Sequence, residues 1–90
     1  MLKDRIAVIT GSTSGIGLGI AETLAAAGAT VMLNGFGDPA QIEEIRRKLA
    51  ERHGVTVAYS GADLWKPAEV RRMVERTAAE LGAVDILVNT

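Results

Sequence analysis

Short, wholly apolar runs alternate along the chain with longer stretches in which apolar residues recur every three or four positions. The first run, Ile6-Ala7-Val8-Ile9 within 2–10, is stopped by Gly11, as expected of a strand covered on both faces in a parallel sheet. From Gly15 onward, Ile16, Ile20 and Leu24 fall on one helical stripe with Ala21 and Ala25 beside them, predicting a first helix that ends at Gly28. Thr30-Val31-Met32-Leu33 predicts a second strand closed by Asn34-Gly35. Asp38-Pro39-Ala40-Gln41 then offers an N-cap, a proline at the first helical position and a glutamine at the third. The second helix turns Ile42, Ile45 and Leu49 inward, turns Glu43, Glu44, Arg46, Arg47 and Lys48 outward, and stops at Gly54. Val55 to Tyr59 predicts a third strand. A third helix follows from Pro67 to Leu81 with Val70, Val74 and Leu81 inward, and then a fourth strand over Asp85-Ile86-Leu87-Val88.

The order is βαβαβαβ, with connections too long for hairpins and long enough for crossovers between parallel strands. This predicts an α/β, Rossmann-type fold with a parallel sheet in strand order 3-2-1-4. Helices one and two then share one face of the sheet, and helix three alone covers the other. The fourth strand is an apolar edge, so a unit truncated after strand 4, or one with an obligate partner, is expected. No repeat, low-complexity stretch or linker divides residues 1–90.

Charge and composition narrow the chemistry. The net charge is −1 and the Lys and Arg residues are spread over helices, which leaves no footprint for nucleic acid or an anionic membrane. The absence of cysteine excludes disulfides and thiolate metal sites, and no His and carboxylate spacing suggests another metal centre. The charged start, Met-Leu-Lys-Asp-Arg, reads as neither signal peptide nor membrane span, so cytoplasm is the expected compartment. His53, the single histidine, reads as a solvated cation at a helix end, and Trp65-Lys66 as the turn leading into Pro67.

The candidate chemistry lies in Thr10-Gly11-Ser12-Thr13-Ser14-Gly15-Ile16-Gly17, a G-x-x-x-G-x-G placed after a strand and opening a helix. Gly11 suits a turn closed to residues with a Cβ, Gly15 lets the backbone approach a pyrophosphate, and Gly17 allows close packing of helix on strand. Free amides at the helix start would face the phosphates, with hydroxyl donors from Ser12, Thr13 and Ser14. Gly19 has no role that the motif names, close packing being the default. At the end of the second strand, Ser14, Asn34, Gly35 and Phe36 present no cation for a 2′-phosphate, which favours NAD(H) over NADP(H). Phe36 is expected either against the adenosine or as a loop anchor, and Asp38 as a helix cap rather than a ribose ligand. Asp63, after the third strand, is placed to accept from an adenine amino group or to cap its own turn. Leu64 would pack beside the ring, and Asn89, at the same sheet edge, would brace the site.

Thr-Gly-x-x-x-Gly-Ile-Gly at 10–17, Asp63-Leu64 and Asp85-Ile86-Leu87-Val88-Asn89 together resemble the short-chain dehydrogenase/reductase family along all ninety residues. Residues 11–21 and 33–38 are similar to the branch of that family that oxidises D-3-hydroxybutyrate to acetoacetate with NAD. The resemblance implies cofactor contacts at Gly11, Thr13, Ile16, Phe36, Asp63 and Leu64, and a homotetramer. Asn89 is followed by Thr90 where the family pattern has a second Asn. The family's catalytic Ser and Tyr-x-x-x-Lys have no counterpart, since four residues after Tyr59 stands Asp63. No catalytic residue is therefore expected within 1–90. These residues are expected to form the NAD-binding half of a dehydrogenase, inactive alone, whose partner is the remaining half or a complementing chain. Two alternatives stay open: a catalytically silent nucleotide-binding or chain-pairing module, and a dehydrogenase for another small alcohol.

Overall fold

The computed structural model describes residues 1–90. The elements follow the predicted order: β1 (Ile6–Ile9), α1 (Gly15–Ala26), β2 (Thr30–Asn34), α2 (Pro39–His53), β3 (Val57–Ser60), α3 (Pro67–Glu80) and β4 (Ile86–Val88). All three strand pairs are parallel and the sheet order is β3-β2-β1-β4, with Ala7 opposite both Val31 and Ile86. No helix is long and apolar enough to cross a membrane.

Alternation along the strands divides the interior into two unequal cores. Ala7, Ile9, Val31, Leu33 and Val57 meet Ala21, Ala25 and Leu49 of α1 and α2, whereas Val8 and Met32 meet Ala62 and Met73 on the α3 side. The second cluster is the smaller, and Leu87 of β4 stays 61% exposed. The expected imbalance between the faces is thus present.

Three details depart from the periodic reading. Ile16 is not part of the inward stripe of α1: it is 82% exposed, and the buried face is Gly17, Ala21 and Ala25. Small residues let the helix sit close on the sheet beside the glycine loop, and the larger Leu18, Ile20 and Leu24 flank the contact. In α3 the buried positions are Met73 and Thr77, while Val74 is 44% exposed. Thr77 tolerates burial because its hydroxyl donates to the Met73 carbonyl at 2.7 Å. β3 begins two residues later than Val55, because Val55 and Thr56 carry the chain from the left-handed Gly54 (φ 64°) to the sheet edge.

The start of α2 is capped as its sequence requires. The Asp38 carboxylate accepts from the Gln41 amide at 3.0 Å, and Pro39 fills the position whose N–H has no partner inside the helix. Asp38→Ala should cost about 1 kcal/mol in urea unfolding, with cofactor binding unchanged; a parallel loss of binding would give Asp38 a role beyond the cap.

His53 is not solvated as expected. Its side chain is only 16% exposed, with Nε2 3.5 Å from Glu22 and no hydrogen bond. The hydrogen bond from Arg52 holds the Glu22 carboxyl below its usual pKa, and Arg46 and Arg47 do the same for Glu43 and Glu44. The Arg52–Glu22 pair joins α2 to α1 and the other two lie within α2, all at exposed positions where such pairs contribute little.

Candidate functional site

The site is built where β1, β2 and β3 end and α1 begins. Gly11 (φ 58°) and Gly15 (φ 59°) both adopt the left-handed conformation, which reverses the chain between strand and helix. Gly17 is required by contact: a Cβ there would stand 2.1 Å from the Gly11 carbonyl oxygen. The close approach predicted for Gly17 is thus to the glycine loop itself. A Cβ on Gly15 would meet nothing within 4 Å and would project into open space. Gly19 likewise has nothing within 4 Å, so the packing expected of it is absent.

Ser14 occupies the N-cap of α1 but its side chain caps nothing, and the first turn holds no acidic residue. The first amides of this helix thus have no protein partner where they face the concavity, in contrast to capped α2.

Two hollows meet at Gly11 and Ser14. One, of about 370 Å³, lies between the ends of β2 and β3 and is bounded by Thr13, Phe36, Asp63 and Leu64. The other runs over Gly15, Ile16 and Gly17 to Asn89. Of the residues singled out in the sequence, Gly11, Thr13, Ser14, Gly15, Ile16, Gly17, Phe36, Asp63, Leu64 and Asn89 line one or both of these hollows, and Ser12 and Gly19 line neither. Neither has a Lys or Arg in its wall. A third hollow, on the α3 side near Ser60, contains Arg72 and Arg76, but Arg76 is engaged by Glu80 and by the Tyr59 carbonyl.

Individual side chains show which expectations the geometry meets. Thr13 donates to the Phe36 carbonyl at 3.3 Å, joining the two loops, and Phe36 is 68% exposed. Asp63 caps its own turn: Oδ1 accepts from the Trp65 amide at 3.0 Å, and Oδ2 has no hydrogen bond from the protein. Asn89 braces β1, its Oδ1 lying 3.3 Å from the Thr10 hydroxyl, which in turn accepts from the Thr90 amide at 3.1 Å. Ser12 is not a donor to the hollow. It is fully buried, and its hydroxyl donates to the Ile9 carbonyl at 2.7 Å. The Tyr59 hydroxyl donates to the Gly35 carbonyl.

The sequence reading passed over Asn34 except as a residue without charge. Its amide nitrogen donates to the Ser60 and Ala62 carbonyls at 3.1 and 3.0 Å, and its oxygen faces the Gly11 amide at 3.4 Å. One buried side chain thus fastens the glycine loop to the end of β3. The signal available beforehand was a polar residue directly continuing an apolar strand.

The fold and the glycine loop together define a Rossmann-type α/β unit. The short chain dehydrogenase family model matches residues 5–90, and the chain belongs to that family. It is 51% identical over 85 residues to a D-beta-hydroxybutyrate dehydrogenase of Rhizobium meliloti, covering 94% of this chain and 33% of the relative. To a D-beta-hydroxybutyrate dehydrogenase of Cupriavidus necator it is 47% identical over 90 residues, covering 99% of this chain and 34% of the relative. A crystal structure of L-sorbose reductase from Gluconobacter frateurii, complexed with NADPH and L-sorbose, superposes with a TM-score of 0.90 at 40% identity, covering 99% of this chain and 34% of that one. The chain spans about a third of the length of these relatives.

Proposed function

We propose that residues 1–90 are the NAD-binding portion of a short-chain dehydrogenase whose complete form interconverts D-3-hydroxybutyrate and acetoacetate. The observation that carries the cofactor reading is the uncapped start of α1 opening, at Gly15, into a hollow with no competing side chain. A pyrophosphate fits that position because unpaired helix amides and the helix dipole both favour an anion there. Gly11, Thr13, Ser14, Gly15, Ile16 and Gly17 would hold the pyrophosphate region. Phe36, Asp63 and Leu64 would hold the adenosine, with Asn89 supporting the loop from β4. When bound, the nicotinamide supplies the hydride acceptor or donor. The residues of this chain bind and orient it, and the proton-transfer groups belong to the remainder of the longer enzyme. The substrate assignment rests on the two hydroxybutyrate dehydrogenase relatives and on residues 33–38. A homotetramer in the cytoplasm is the assembly this reading carries.

The preference for NAD(H) follows from the absence of any Lys or Arg around the β2-end hollow. A ribose 2′-phosphate buried there would lack a charge-assisted donor. The L-sorbose reductase complexed with NADPH makes this the sharpest point to test. Calorimetric titration should show saturable NAD(H) binding and weaker NADP(H) binding. Phe36→Arg should raise the NADP(H)-to-NAD(H) affinity ratio at least tenfold, which corresponds to about 1.4 kcal/mol. An unchanged ratio would remove the selectivity argument, and a folded chain that binds neither dinucleotide would remove the cofactor reading.

The exposed Leu87 edge favours one further feature of this reading, a strand added beside β4 by the rest of the enzyme or by a complementing chain. Mixing the chain with a separately produced C-terminal portion should restore NAD-dependent oxidation. A folded complex without activity would count against it.

A further inference from the structure

We propose that Trp65 forms an aromatic wall of the adenine subsite, facing the same hollow as Phe36; the inference rests on the dinucleotide reading above. Trp65 is the only tryptophan of the chain and is 92% exposed. Leaving a whole indole in water forgoes the burial of one of the largest apolar surfaces a side chain can offer. It is not scattered at random. Together with Phe36 and Leu64, it lines the β2-end hollow, so three exposed apolar side chains from two neighbouring loops border one concavity.

The backbone beneath the indole is fixed. The Trp65 amide donates to Asp63 Oδ1 at 3.0 Å, the Lys66 amide to the Asp63 carbonyl at 2.9 Å, and the Asp63 amide to Glu69 at 3.0 Å. Pro67 then begins α3 and restricts Lys66 to extended backbone. The ring therefore projects from a rigid turn at the rim of the hollow. Asp63 links the two halves of the argument, since one carboxylate oxygen holds the Trp65 backbone and the other is free to accept a hydrogen bond.

A flat heteroaromatic ring bearing an exocyclic amino group matches this pair: its face lies against the indole and its edge donates to Asp63 Oδ2. An aliphatic ligand would satisfy the apolar walls but leave the carboxylate oxygen without a donor. Adenine is the part of a dinucleotide with both properties.

The single tryptophan makes the test direct. NAD⁺ and 5′-AMP should both change Trp65 emission saturably, NAD⁺ with the midpoint that calorimetry gives, and nicotinamide mononucleotide should leave the emission unchanged. Trp65→Ala should weaken NAD⁺ and 5′-AMP by about tenfold, within the range expected for losing one stacked base, while Trp65→Phe retains most of the affinity. Because the side chain is exposed, circular dichroism and urea unfolding should be unaltered in both variants. NAD⁺ binding by calorimetry with unmoved Trp65 emission and undiminished affinity in Trp65→Ala overturns this inference and leaves the cofactor reading standing. A folded wild-type chain that gives no heat with NAD⁺ overturns the cofactor reading and this inference together.

Discussion

Gly17→Ala is expected to abolish dinucleotide binding and to destabilise the chain by roughly 3 kcal/mol, as a buried overlap with no room to relax does. The added Cβ would lie 2.1 Å from the Gly11 carbonyl oxygen and 2.8 Å from its carbonyl carbon. Relief requires moving the Gly11 peptide, which is held on both sides: Thr10 bonds the Val88 carbonyl at 2.9 Å, and Ser12 bonds the Asn34 carbonyl at 2.6 Å. The alternative is to lift the start of α1 off the sheet, which uncovers Ala21 and Ala25. Either movement displaces the amides proposed to face the pyrophosphate. Gly19→Ala provides the matched control. Two residues further along the same helix, its Cβ meets nothing within 4 Å, and alanine should raise stability by up to about 1 kcal/mol through helix propensity alone. Urea unfolding and calorimetric titration of the two variants separate the explanations. Equal behaviour of both would mean that the glycine loop is not fixed by this contact.

The contrast between these glycines shows what a linear reading reaches. Element order, sheet order and the glycine loop were legible because each depends on short-range signals: an apolar run, a helical stripe, a breaker. The neighbour of each glycine was not, since Gly17 and Gly19 have the same chemistry and differ only in what stands above them. The stripes of α1 and α3 were misassigned for a related reason. Periodicity ranks positions by hydrophobicity, whereas α1 buries the smallest residues, Gly17, Ala21 and Ala25, where the helix comes nearest to the sheet. In α3 it took Val74 for a core position where the fold buries Thr77, whose polarity is cancelled by a bond within the helix. The rim of the site was seen through Phe36, Asp63 and Leu64. Its foundation at Asn34 and Ser12 was not, because buried hydrogen-bonding polar residues look like surface residues until their partners are known.

Asn34→Leu is expected to be the most destabilising change at the site, by about 3–5 kcal/mol, although it keeps the branching of the side chain at Cγ. Asn34 is buried, and its amide satisfies the Ser60 and Ala62 carbonyls while its oxygen faces the Gly11 amide. Leucine would leave these groups without partners, each stranded group costing about 1–3 kcal/mol. Set against total stabilities of about 5–15 kcal/mol for domains, that is a large fraction. Asn34→Asp carries a sharper signature, in pH. An ionised carboxylate against two carbonyl oxygens is disfavoured by desolvation and by the lack of a donor, so its folded pKa should rise above the unfolded value. The folded state then binds more protons than the unfolded one, and stability falls as pH rises through the folded pKa. Glu22, Glu43 and Glu44 act in the opposite sense, because their arginine partners lower their pKa and whatever they contribute is lost on acidification. Urea midpoints measured across the acidic range should therefore show Asn34→Asp regaining stability relative to wild type as pH falls, and Asn34→Leu showing no such recovery. Parallel curves for the two variants would mean that the two carbonyls do not depend on a donor at position 34. The gain at low pH would in turn identify this buried amide as the tie that keeps the glycine loop and the Asp63 turn at a fixed separation across the hollow.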